Sequence, residues 1–128
     1  MDQKPNKCIL AIDDDRLQLK TIENLLQLKG YKVLCASSGE EGLQLAKLHK
    51  PNLILLDVLM PGMKGREVCR RLKADDATKS IPVIFVTAKE SEDDITAEMA
   101  AGAVDHLTKP VRPEIFIRKI EGVLNMQA

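Results

Sequence analysis

Apolar residues along this chain alternate between two rhythms. Continuous short runs occur at Cys8-Ile9-Leu10-Ala11-Ile12, Val33-Leu34-Cys35-Ala36, Leu53-Ile54-Leu55-Leu56 and Pro82-Val83-Ile84-Phe85-Val86, with a weaker one at Val104 to Leu107. Runs of this length bounded by turn formers read as strands, and continuous apolarity means burial on both faces. Between the runs, apolar residues recur at helical spacing. Leu19, Ile22, Leu25 and Leu26 form one stripe, Leu43 and Ala46 a second within Gly39 to Leu48, and Val68, Cys69 and Leu72 a third. Ile95 and Met99 make a thin fourth stripe between Ser91 and Ala100, and Ile117, Ile120 and Leu124 a fifth. Asp14 or Asp15 suits the start of the first helix and Gly30 its stop, while Pro51 closes the second. Ser91 and Gly102 bracket the fourth, and Pro113 fits the first turn of the last. Strand and helix thus alternate through the whole chain. That order predicts an α/β fold, a five-stranded parallel sheet with helices on both faces.

The length, 128 residues, suits one domain over residues 1–128 with a core from about 7 to 124. Formal net charge is zero, and aromatic content is 2% with no Trp. Neither a basic surface nor a stacking platform is available, so direct nucleic-acid contact is not expected. Cys8, Cys35 and Cys69 show no CxxC spacing and lie in apolar stretches, which suggests buried, reduced thiols. His49 and His106 are too far apart in sequence to read as a metal pair. Residues Met1 to Lys7 are polar, and no apolar run approaches a membrane span. A cytoplasmic protein with no membrane contact is the expectation.

Candidate chemistry collects where strands end. Asp57 follows the most apolar run directly and precedes the turn Met60-Pro61-Gly62. Asp13-Asp14-Asp15 follows the first strand, Thr87 ends the fourth and Lys109 follows the fifth. In an open parallel sheet, ligands bind outside these carboxyl ends. If the first and third strands are neighbours, three carboxylates converge. Two unit charges 4 Å apart repel by about 4 kcal/mol at an effective dielectric of 20. Such a group needs a cation or a proton, and oxygen-only ligands point to a hard ion such as Mg²⁺. A lysine and a hydroxyl opposite complete a receptor for phosphoryl oxygens, with Asp57 free to attack phosphorus.

The segments "ILAIDDD", "NLILLDVLMPGMKG", "IPVIFVTA" and "AGAVDHLTKP" resemble the receiver domain of two-component response regulators. The resemblance covers roughly Lys7 to Leu124 and implies a flavodoxin-like sheet of strand order 2-1-3-4-5. It implies that Asp57 accepts a phosphoryl group from a histidine kinase. Asp14, Asp57 and the Leu59 carbonyl would bind Mg²⁺ directly, and Asp13 mostly through water. Lys109 would pair with Asp57 and then with the phosphoryl group. Thr87 would move toward that group, with Ala88 allowing close approach, and the Lys109–Pro110 bond would be cis. Such a domain catalyses only its own phosphorylation and dephosphorylation. It switches a partner surface on the fourth helix, fifth strand and fifth helix, roughly Ser91 to Leu124, and homodimerisation on phosphorylation is a further possibility. The sequence names neither an output domain nor a target.

Each residue also has a plainer reading. An acidic triplet suits a helix N-terminus, and Asp15 reads as no more than that. Thr87 alone is an ordinary strand end and Lys109 alone an ordinary surface lysine; the set carries the functional reading. His106 departs from the family, which places Tyr or Phe there, so switching is expected to couple less tightly or to depend on pH. Val111 and Arg112 depart too, which bears on partner choice. Leu59 and Lys89 flank the expected path of attacking water. His49 suits the dipole of a helix end, and Arg70-Arg71 and Glu90 to Asp94 read as solvated faces. The rival class is a Mg²⁺-dependent aspartyl phosphohydrolase with Asp13 as nucleophile and Asp13-x-Asp15 as its motif, though Arg16-Leu17 replaces the small residues expected there. A flavin carrier is disfavoured by three aspartates where a phosphate would sit. A degenerate docking-only receiver does not fit the intact site set.

Overall fold

The structure, a computed structural model, describes residues 7–88 and 91–126. Lys89 and Glu90, and the readings attached to them above, lie outside the described residues, as does most of the polar amino-terminal segment. The strands are β1 (Cys8–Ile12), β2 (Lys32–Ala36), β3 (Leu53–Leu56), β4 (Val83–Thr87) and β5 (Asp105–Thr108). The helices are α1 (Arg16–Leu28), α2 (Gly39–His49), α3 (Gly65–Ala74), α4 (Glu92–Ala100) and α5 (Pro113–Met126). All pairings are parallel and the sheet order is β2-β1-β3-β4-β5, the order the resemblance implied.

Strand periodicity divides the core in two, because successive side chains point to opposite faces. Leu10, Ile12, Ile54, Leu56, Val83 and Phe85 pack on one side with Val68, Cys69 and Leu72 of α3. Ile9, Ala11, Leu53, Leu55, Ile84 and Val86 pack on the other with Ile22, Leu26, Phe116, Ile117 and Ile120 of α1 and α5. Apolar residues are needed at every central-strand position because both faces are covered. On the α2 side the fit is close enough that a Cβ on Gly42 would stand 2.8 Å from Ile12 Cγ1. Among the described residues, no helix is long and apolar enough to cross a membrane.

Several readings of the sequence are corrected. β5 runs Asp105–Thr108 rather than from Val104, and β2 begins at Lys32. The phase of α4 differs most: Met99 is 42% exposed, Glu98 is fully buried and Ile95 is half-buried. With so few apolar residues in this helix, its spacing does not fix which face turns inward, and the buried Glu98 lies 3.9 Å from Arg66 Nη2. Asp94 accordingly is half-buried and bonded to Arg66, not part of a solvated face. Arg70 and Arg71 are exposed as expected, both holding Glu67. Of the cysteines only Cys69 is buried; Cys8 and Cys35 are half-buried, and all are free thiols. Burial raises the pKa of each, so none is a ready thiolate.

Candidate functional site

Adjacent central strands bring the acids together. The Asp13 amide donates to the Ala36 carbonyl and the Asp57 amide to the Ile12 carbonyl, both at 3.0 Å. These bonds extend the sheet ladders one residue past the strands and fix both carboxylates at its carboxyl edge. Asp13 is 3% exposed and Asp57 7%, while Asp14 faces solvent. One carboxylate oxygen from each of Asp13, Asp14 and Asp57 lies within 4.8 Å of the others. Asp15, the last of the triplet, caps α1 by accepting from the amides of Leu17 and Gln18, at 3.0 and 3.2 Å. Its plainer reading holds.

Lys109 crosses from beyond β5 to this cluster. Its Nζ donates to Asp13 Oδ2 at 2.9 Å and stands 3.7 Å from Asp57 Oδ2. Asp13 Oδ1 accepts the Asp15 amide at 2.9 Å, so both oxygens of Asp13 are engaged. That leaves Asp13 poorly placed for the nucleophile's role in the phosphohydrolase reading. Thr87 is buried, and its carbonyl accepts the Lys109 amide at 2.7 Å, joining hydroxyl and ammonium bearers at neighbouring strand ends. The Lys109–Pro110 peptide is cis, as the resemblance implied.

Electrostatics follow from burial and crowding. Desolvation pushes the Asp57 pKa up from 3.8 to about 6, with the charge of Asp13 adding to it. Lys109, the Thr87 hydroxyl and the Val58 amide oppose that rise. For Lys109, burial disfavours the ammonium, but the hydrogen bond to Asp13 and the charges of Asp13, Asp57 and Asp15 outweigh it and raise the pKa. At Asp57, burial and the charge of Asp13 thus outweigh the relief that Lys109 provides. An all-oxygen donor set of this kind fits a hard divalent cation.

One element of the site was not read from the sequence. The start of α3 presses on the phosphoacceptor candidate's own backbone: a Cβ on Gly65 would overlap the Asp57 carbonyl and stand 2.9 Å from Val58 Cα. The Gly65 amide donates to the Val58 carbonyl at 2.9 Å. The loop between them exposes Leu59 (64%) and buries Met60. His106 is half-buried on β5, opposite Phe85 in the register, and Ala88 is exposed. Val111 and Arg112 lie in the segment before α5, and His49 is exposed in the last turn of α2.

Comparison with known proteins agrees with this geometry. Residues 9–121 match the response regulator receiver domain family. The chain is 40% identical over 116 residues to the protein PilH of Pseudomonas aeruginosa, covering 91% of this chain and 96% of that one. It is 38% identical to the transcriptional regulatory protein AfsQ1 of Streptomyces coelicolor, covering 91% of this chain. It spans about half the length of AfsQ1 and of the PhoP and PhoB regulators it also matches. Among solved structures, chemotaxis protein CheY4 of Vibrio cholerae aligns with a TM-score of 0.88 at 30% identity, covering 92% of this chain and 98% of that one. A CheY-like receiver domain protein from Methanospirillum hungatei aligns with a TM-score of 0.89 at 31% identity, covering 95% and 96%.

Proposed function

Since the chain belongs to the response regulator receiver domain family, we propose that Asp57 accepts a phosphoryl group from the phosphohistidine of a partner kinase. The convergence of Asp13, Asp14 and Asp57 beneath the Lys109 ammonium carries this reading. Above about pH 6 the Asp57 carboxylate is ionised and can attack. Its oxygen forms the new bond to phosphorus as the donor's P–N bond breaks, and the bonding pair returns to the imidazole nitrogen. Lys109, 3.7 Å from the attacking carboxylate, offsets the charge that builds on the phosphoryl oxygens. The buried Thr87 hydroxyl donates to one of them. Asp13, Asp14 and Asp57 would hold Mg²⁺ with the Leu59 carbonyl, and the bound ion would neutralise acids and phosphoryl oxygens together. The chain acts on itself in this account, in a cytoplasmic setting, and serves as a switch whose partner surface is formed by α4, β5 and α5.

The test is incubation with a small acyl phosphate and Mg²⁺ followed by intact mass. Wild type gains one phosphoryl group and Asp57→Asn gains none. Equal uptake by the two, or none by wild type, overturns the reading.

Two side chains set finer properties. Leu59, exposed and two residues after Asp57, offers no side-chain hydrogen bond to orient an attacking water. The phosphoryl group is therefore expected to persist for minutes or longer, and Leu59→Asn to shorten that lifetime several-fold. A lifetime of seconds unchanged by the substitution, followed by mass against time, contradicts this. His106 is smaller than the aromatic ring usual in the family. Nuclear magnetic resonance shifts induced by a phosphoryl mimic should differ between wild type and His106→Tyr. Identical responses from the two would remove the idea.

A further inference from the structure

The second residue of α3 lies where two tethers meet. Behind it, Gly65 is in such close contact with the Asp57 and Val58 backbone that no side chain fits between them. Ahead of it, the Arg66 guanidinium crosses to α4. Its Nη2 donates to Asp94 Oδ1 at 3.1 Å and to the Asp94 carbonyl at 3.4 Å, and stands 3.9 Å from Glu98 Oε2. The other oxygen of Asp94 accepts from the Ser91 amide and hydroxyl, at 3.2 and 3.0 Å, which closes the capping box of α4. A continuous set of contacts therefore runs from the Asp57 backbone to the first two turns of α4 without passing through Thr87.

Fold stability alone gives little reason for this arrangement. An ion pair reaching a fully buried carboxylate recovers little more than its desolvation cost, and an apolar pair of similar volume serves as well. The guanidinium is also incompletely used. Among the described residues its buried Nε has no acceptor, and Glu98 Oε2 lies about 0.7 Å beyond the usual hydrogen-bond range. A movement of α4 by about that distance would exchange a loose contact for a second charge-assisted hydrogen bond. Such an exchange would give the cluster a second discrete arrangement, which is what a coupling element requires.

We propose that Arg66 is a positioning residue that links the state of Asp57 to α4, holding that helix through Asp94 and Glu98 and transmitting displacement of the segment between β3 and α3. The proposal rests on Asp57 being the phosphoacceptor. The experiment is amide hydrogen exchange on the full chain, with and without a small acyl phosphate plus Mg²⁺, and intact mass on the same samples. Wild type is compared with Arg66→Met, with Arg66→Lys, and with the Arg66→Met/Glu98→Met pair, which leaves no buried charge unpartnered at this contact and so protects against simple misfolding. Without phosphodonor, amides of α4 in the double variant exchange about tenfold faster than in wild type, and Arg66→Lys recovers part of the protection. With equal phosphoryl occupancy, the phosphorylation-dependent change in α4 exchange falls at least threefold in the double variant. A purely structural contact would alter the first measurement and not the second. Unchanged α4 exchange in both states at equal occupancy overturns the proposal alone, whereas no phosphoryl uptake by wild type overturns the phosphoacceptor reading and the coupling with it.

Discussion

In metal-free solution at pH 7, Asp57→Asn is expected to be more stable than wild type by up to about 3 kcal/mol. The Asp57 carboxyl has its pKa raised by burial and by Asp13, from 3.8 to about 6. The folded state therefore holds the Asp57 proton more tightly than the unfolded state does. Stability from this group is fully present below pH 4 and is lost as pH rises through 6, where the folded protein must carry the buried charge. That interval corresponds to about 3 kcal/mol at 1.36 kcal/mol per pH unit, an upper figure since Lys109 remains beside the carboxylate. Asparagine cannot ionise, so its stability should not fall over this range. Urea unfolding at pH 4, 5, 6 and 7 in the presence of a chelator measures the effect. A wild-type slope between pH 4 and 6 that survives in Asp57→Asn would show that another group is responsible. Added Mg²⁺ should narrow the gap at pH 7, because an ion bound only by the folded state stabilises it, and the Asn variant has lost one ligand.

Gly65→Ala is the second large effect. The added methyl would meet the Asp57 carbonyl and Val58 Cα, which are backbone atoms with no rotamer to yield. Either α3 moves away or the loop carrying Leu59 does. Overpacking of this kind costs about 2–3 kcal/mol, which in a domain of this size lowers the melting temperature by roughly 10 °C. Because the strain falls on the phosphoacceptor candidate itself, phosphoryl uptake should slow along with the loss of stability. Thermal unfolding and the rate of mass gain report on the two effects separately. A variant that melts with wild type and takes up phosphoryl groups at the wild-type rate would mean that the close approach is not needed.

What the sequence made legible was whatever depends on local pattern. The runs at Cys8–Ile12, Leu53–Leu56 and Val83–Thr87 are apolar at every position but the terminal Thr87 because helices cover both faces, and buried central strands leave little other choice. Polar residues at the ends of such strands stand out, which is why Asp13, Asp57, Thr87 and Lys109 are visible as a set in the sequence. What depends on a distant partner was not legible. The inward face of α4 carries Glu98 rather than Met99, with Arg66 of α3 lying near it, and no spacing rule within α4 contains that fact. Gly65 reads as loop punctuation in sequence, yet its role is set by how near the Asp57 carbonyl passes. The exposed end of β5 likewise shifted by one residue, since an edge strand with few apolar residues has little pattern to fix its limits.

The ion pair between Lys109 and Asp13 spans 96 residues of chain. During synthesis the acids leave the ribosome first, and the lysine that bridges them emerges only after all five strands have been made. Charge balance at this rim is therefore reached only once the chain through Lys109 has been made, and no nascent piece ending before it possesses that balance.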